Sequence, residues 1–292
     1  MNIKKISGII AGVAMAAGLS APASAVVLQA GDLKITINAF DAGTVGYGND
    51  SGTKCETIAD CDAVPGIMTA PNAVGSEDTW GIFSVQSISR VSDGSLLFTA
   101  GQNGEYLTGM FGGIADTYVE TNGGISPTTL ALGTGGWLNM YLTGQNYDSS
   151  FGPGGRLGQY GYTGITNVGG TLALSANFGA GALGDYPEYT YVSNFANNTI
   201  SGNGQGFLDV TGGSWADMFD TDAQIDPNGN MHDMFLKVTY GQTGASADAG
   251  WTVDASGDVQ GEIGEVPEPG SLALLGLGFA GLAGLRRRKA AK

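Results

Sequence analysis

The stretch VVLQAGDLKITINAF, residues 26–40, decides the class of fold. Leu33, Ile35, Ile37 and Ala39 alternate with Asp32, Lys34, Thr36 and Asn38. A period of two sends successive side chains to opposite faces of an extended strand, so one face is buried and the other meets water. The same pattern continues outward. Strand-like runs stand at TWGIFSVQSISRV (79–91), SLLFTAG (95–101) and EYLTGMFGG (105–113), separated by Ser-Asp-Gly and Gln-Asn-Gly, which favour tight hairpin turns. Further runs follow at 136–144, 170–181, 189–195, 204–213, 232–241 and 250–263. Short strands at even spacing, joined by glycine, predict an all-β chain: a single antiparallel β-sandwich or jelly-roll-like domain with little helix. Residues 41–77 lose the alternation and predict a long surface loop. Gly244–Gly250 and Asp254–Gly264 predict a fading edge that runs into a linker.

Composition narrows the alternatives. The chain has 51 glycines and only 13% charged residues, but no Gly-X-Y period, which excludes collagen. Aromatic and β-branched residues are interleaved throughout, which argues against a disordered chain. All 27 acidic residues lie in 26–268, against five of the 12 basic ones, giving that part a net charge of about −22. Phosphate and anionic headgroups need clustered Lys and Arg, so nucleic acid and membrane headgroups are excluded as partners.

The two ends carry a different message. Lys4 and Lys5 precede an apolar run, Ile6–Leu19, and Ala23-Ser24-Ala25 supplies the small residues of an A-x-A cleavage site. This is the pattern of a secretory signal peptide over 1–25, delivered to the Sec machinery, with Val26 as the mature N-terminus. At the other end Val266-Pro267-Glu268-Pro269 forms an extended tether, because each proline fixes φ and restricts the residue before it. An uncharged segment follows from Ser271 to Leu285, and then Arg286, Arg287, Arg288 and Lys289. As a helix the segment reaches roughly 22 Å against a hydrocarbon core of roughly 30 Å, so it spans only with bilayer thinning. The basic cluster places the C-terminus in the cytoplasm. The expected division is 1–25 signal peptide, 26–263 glycine-rich β domain and 264–292 sorting tail.

That tail resembles the PEP-CTERM sorting signal of Gram-negative bacteria that make exopolysaccharide. The resemblance implies passage through the inner membrane, recognition and cleavage near Pro267-Glu268-Pro269 by an exosortase, and release to the cell surface or extracellular matrix. It covers only the tail, and such tails are joined to unrelated domains, so it implies a route and not an activity. A second stretch, GNGQGFLDVTGGSWADMFDTDAQIDPNGNMHDMFLKVTY (202–240), resembles the late part of flocculation-associated PEP-CTERM proteins. That resemblance implies a noncatalytic role in exopolysaccharide-associated cohesion, in flocs or biofilm.

Candidate chemistry within 26–263 is sparse. One histidine, His232, limits any Ser-His-Asp or Cys-His arrangement to that residue, and neither G-x-S-x-G nor H-E-x-x-H occurs. His232 reads as a turn or strand-start residue. Asp220, Asp222, Asp226, Asn228 and Asn230 crowd one loop and suit a hard cation such as Ca2+, the sole cofactor the sequence suggests. Asp226, Asn228 and Asn230 have EF-hand-like spacing, but the twelfth position is Lys237 and the glycine falls at 229. An Asx-rich turn capped by its own side chains is the competing reading. Trp215, beside Gly212-Gly213, is the aromatic residue whose neighbours suggest exposure and stacking on a sugar.

The expected function is therefore an exported noncatalytic surface or matrix protein, whose partners are the exosortase and the exopolysaccharide matrix. An exported polysaccharide-active enzyme or carbohydrate-binding module is the alternative. Cys55 and Cys61, in KCETIADC, predict one small-loop disulfide in an oxidising compartment. Thiol labelling of the native exported protein should find neither cysteine reactive, and the double serine variant should lose only about 2–3 kcal/mol of stability. Full labelling of both thiols would contradict the bridge.

Overall fold

The computed structural model describes residues 31–42, 54–55, 77, 79–122, 128–196, 199 and 201–264. The predicted signal peptide with Ala23 and Ala25, residue Cys61, and the tail with Val266, Pro267, Glu268, Pro269, Arg286, Arg287 and Arg288 lie outside these residues. Among the described residues the strands are β1 (Gly31–Asp41), β2 (Lys54–Cys55), β3 (Thr79–Arg90), β4 (Leu96–Thr99), β5 (Tyr106–Asn122), β6 (Thr128–Thr143), β7 (Thr171–Gly179), β8 (Tyr191–Ala196), β9 (Ser201–Gly212), β10 (Gln224–Ile225), β11 (Met231–His232), β12 (Met234–Gly241) and β13 (Val253–Ile263). Two short α-helices, α1 (Ala216–Phe219) and α2 (Gly244–Asp248), and three single turns of 3-10 helix accompany them.

The all-β antiparallel expectation holds, and the pairing adds a closure that the sequence did not show. β1 pairs with β3, β3 with β5, β5 with β6, β6 with β7, β7 with β9, β9 with β12 and β12 with β13. β13 then pairs along its whole length with β1, from Gly31↔Ile263 to Asp41↔Val253. The two walls of the expected sandwich are thus opposite sides of one sheet whose ends meet. β8 shares a place with β7: β6 gives residues 137–142 to β7 and 128–133 to β8, and β9 is divided between them in the same way. The result is an up-and-down barrel of eight strand positions, a size whose interior is just filled by side chains or holds one small ligand.

The inward residues follow the predicted alternation. Leu33, Ile35, Ile37 and Ala39 of β1 are buried, joined by Val85 and Ile88 of β3, Leu107 and Ile114 of β5, and Leu236 and Val238 of β12. Lys34 and Asn38 face out. The end where β1 begins and β13 finishes is plugged by α1, whose Phe219 is fully buried and stacks on Trp215 at 6.2 Å between ring centroids. Trp215 is 9% exposed and belongs to the core, so the expectation of an exposed sugar-stacking residue is corrected. The neighbouring glycines mark a turn that folds the chain inward across the barrel end, and do not mark a surface loop.

A second apolar layer lies outside the barrel. The β6–β7 connection folds back so that Tyr162 and Ile165, with Trp251, cover Ile82 and Met110 on the outer face of β3 and β5. The Trp251 indole donates to the Ser149 carbonyl at 2.8 Å, and the Tyr162 hydroxyl to that of Gly152 at 3.0 Å. Residues 81–85 are therefore buried on both faces.

The sequence reading placed two ends wrongly. It stopped one strand at Gly113 and began the next at Gly136, whereas β5 and β6 run through these glycines as one long ladder. Gly113 and Gly136 have φ of 70° and 106°, and a Cβ at either would meet the Trp137 or Phe178 ring within 3 Å, so glycine bends the ladder here without ending it. Likewise β13 is no fading edge, being paired on both sides by β1 and β12. Gly244–Asp248 is helix, entered through a capping box between Thr243 and Ser246.

Truncating the plug tests this packing. Trp215→Ala should cost about 3–5 kcal/mol in denaturant unfolding. A loss below about 0.5 kcal/mol, the usual range for an exposed site, would contradict the buried placement.

Candidate functional site

At the barrel end opposite the plug, β1 finishes at Asp41, in register with Gly81 of β3 and Val253 of β13. Below it the lumen is incompletely filled and leaves a cavity of about 50 Å³. Its walls are mainly apolar, with rings from Phe83, Phe111 and Phe178, and Tyr191 and Tyr240 stand with Asp41 and Thr79 as its polar lining. Asp41 is half-buried as a residue, but its Oδ1 is fully buried and accepts no hydrogen bond. Burial, reinforced by the negative charge of Asp116, pushes the Asp41 carboxyl up to about 8. Burial also pushes the Tyr191 and Tyr240 hydroxyls upward, with Asp41 and Asp116 adding to the effect. The Tyr240 hydroxyl shares a short hydrogen bond with Ser193 Oγ. The mouth thus brings two acids and two phenols together at the end of an apolar lumen.

A second polar cluster sits where β11 meets the loop before it. His232 is buried, its ring stacked on Phe207 at 4.8 Å. Its Nδ1 lies 2.7 Å from Asp209 Oδ1, and its Nε2 lies 3.7 Å from Asp226 Oδ2 without a hydrogen bond. Asp226 is itself buried, and accepts from the Asn228 N–H at 2.7 Å, the Asn230 N–H at 2.8 Å and the Asn230 amide at 2.8 Å. Burial opposes its charge, but these donors and the nearby imidazole hold its carboxyl below the ordinary value. Asp233 works in the same way, accepting from the N–H groups of Val210, Thr221 and Asp222 at 2.6–2.9 Å.

These bonds favour the competing reading of the calcium loop. Asp226 spends both oxygens on its own loop, and among the described residues no three Asp, Glu, His or Cys side chains form a metal-holding group. Asp220 and Asp222 are therefore not gathered with Asp226, Asn228 and Asn230 into a ligand set. The competing reading of a self-capped turn describes the loop. His232 closes the two-residue strand β11 and does not begin one, and its seat between two carboxylates was missed, because Asp209 lies on a different strand. Asp41 was also missed: nothing in Phe40-Asp41-Ala42 indicates that an acid ends a buried face. Of the predicted disulfide, Cys55 lies in β2, opposite Val119 of β5.

A third feature is the outer face of β12, β13, β1 and β3. Thr239, Ser256, Asn38 and Ser84 stand side by side in register across the four strands. They line a shallow groove of about 620 Å³, bordered by Phe40 and Tyr147.

The PEP-CTERM protein-sorting motif matches residues 265–289, directly after the barrel's last strand. It marks the chain as exported, sorted by an exosortase and targeted to the cell surface. No curated protein and no solved structure matches the chain.

The raised pKa of Asp41 sets a direction for stability against pH. The folded chain keeps a proton that the unfolded chain releases between its ordinary value of 3.8 and about 8, so stability falls as pH rises through that window. Asp41→Asn should flatten the curve there and add about 2–4 kcal/mol at pH 8. Parallel pH curves for the two proteins would contradict this assignment.

Proposed function

We propose that the chain is an exported, noncatalytic cell-surface or matrix protein that contributes to exopolysaccharide-associated cohesion. The observation that carries the reading is the sorting motif at residues 265–289, joined to a closed barrel. Cleavage near Pro267–Pro269 by the exosortase, after Sec-dependent export, would leave the barrel in a hydrated polymer.

Three properties of the barrel suit that role. Its sheet is closed, so it offers no long free edge to aggregate in a crowded matrix. In the cluster around His232, the titratable side chains hold loops: Asp233 and Asp226 accept backbone N–H groups, and His232 is fixed by Asp209. The exposed members of the row, Thr239, Ser256 and Asn38, offer neutral hydroxyl and amide groups beside the rings of Phe40 and Tyr147. That combination suits a polyhydroxylated chain, with hydrogen bonds along the row and apolar sugar faces against the rings. A single shallow site binds weakly, so cohesion would come from many copies on one polymer.

A strain lacking the gene should grow dispersed while making normal amounts of polysaccharide. The exported protein should have an intact mass that begins at Val26 and ends near Pro267–Pro269. Normal cohesion in the deletion strain, or depolymerisation of the strain's polysaccharide by the purified protein, would overturn the reading.

A further inference from the structure

The cavity beneath Asp41 combines features that neither folding nor sorting requires. A buried carboxylate oxygen with no hydrogen-bond partner is costly, and a barrel that needed only to be stable would place an apolar residue there. Around it stand five aromatic rings, from Phe83, Phe111, Phe178, Tyr191 and Tyr240. Phe178 and Tyr191 meet edge to face at 5.9 Å, which fixes two walls of the cavity at right angles. None of the lining residues is basic, and Asp116 adds a second negative charge within electrostatic reach. Aromatic faces and a carboxylate attract the same kind of ligand: a cation whose surface is apolar.

We propose that the barrel mouth binds a small alkylammonium ion, with its charge on Asp41 and its methyl groups against the aromatic rings. The volume of about 50 Å³ limits the ligand to a few non-hydrogen atoms. A bare metal ion fits poorly, because hard cations take six or more oxygen ligands and most of this wall is hydrocarbon. A neutral molecule of the same size would leave the Asp41 charge without a counter-ion. The groups facing Asp41 are Asp116 from β5, Tyr191 from β8 and Tyr240 from β12, while β3 and β13 line the cavity with no titratable side chain. Since Asp41 must lose its proton to pair with the cation, affinity should rise with pH towards about 8. This inference is independent of the cohesion role, since it rests on the lumen and not on the outer groove.

Calorimetric titration of the full exported protein with trimethylammonium chloride tests it, with tert-butanol, sodium chloride and calcium chloride as controls. Trimethylammonium should bind one to one with Kd on the order of 1 mM, tightening at least about threefold between about pH 6 and about pH 8. Asp41→Asn should weaken binding about tenfold or more while raising thermal stability, which separates lost recognition from lost folding. Phe178→Leu, which keeps an apolar wall but removes one ring, should weaken it about threefold. No binding of trimethylammonium, equal binding of tert-butanol, a response to calcium or sodium alone, or undiminished affinity in Asp41→Asn would each overturn the proposal.

Discussion

The structure depends on closure of its sheet. Two ladders make it: β5 with β6, paired from Tyr106↔Thr143 to Asn122↔Thr128, and β1 with β13, paired over their full lengths. The first is the longest hairpin among the described residues. The second joins strands more than 200 positions apart in sequence, and so carries the largest loop-closure cost. Until both are in place the chain is an open sheet with exposed edges. Once they form, every main strand is hydrogen-bonded on both sides, and the alternation of Leu33, Ile35, Ile37 and Ala39 points at a shared interior. Glycine serves this geometry at particular places. Gly113 and Gly136 allow the β5–β6 ladder to curve where a Cβ would strike a ring.

Closure also dictates where polar chemistry can sit. An eight-position barrel fills its own centre, so the variable places are its two ends and its outer wall. One end is stopped by Trp215 and Phe219. The other holds Asp41 above a small unfilled space. Part of the outer wall is covered by Tyr162, Ile165 and Trp251, and another part keeps the hydroxyl and amide row. Loops that leave the barrel have no neighbouring sheet to satisfy their N–H groups, and Asp226 and Asp233 do this from within. Asp226, which looked like part of a metal site, is therefore a hydrogen-bond acceptor built into the turn.

Much of the fold was legible locally. Period-two alternation located β1, and the Ser-Asp-Gly and Gln-Asn-Gly turns located β3, β4 and the start of β5. Glycine misled where it bends a strand and does not end it, which is why β5 and β6 were read as half their length. Closure itself left no local mark, because the β1–β13 seam is a long-range pairing. The candidate site was less legible for the same reason. Asp41, Asp116, Tyr191 and Tyr240 come from four strands, and their proximity follows from register. Trp215 and His232 were misjudged because flanking glycines or polar residues speak of turns, whereas burial depends on what the turn folds against. The tail was the opposite case: its order of tether, apolar segment and basic cluster is a linear signal, and the sorting motif is found there.

The sorting signal and the barrel thus occupy different parts of the chain, and the barrel's closure is what brings Asp41, Asp116, Tyr191 and Tyr240 together. Residue-resolved amide hydrogen exchange on the exported protein tests that closure most directly. Amides of β5 and β6 across their shared ladder should be as slow as those of β1 and β13, with all four exchanging through global unfolding. Fast exchange along β5 or β6, at the rate of a free sheet edge, would show an open sandwich and contradict the account.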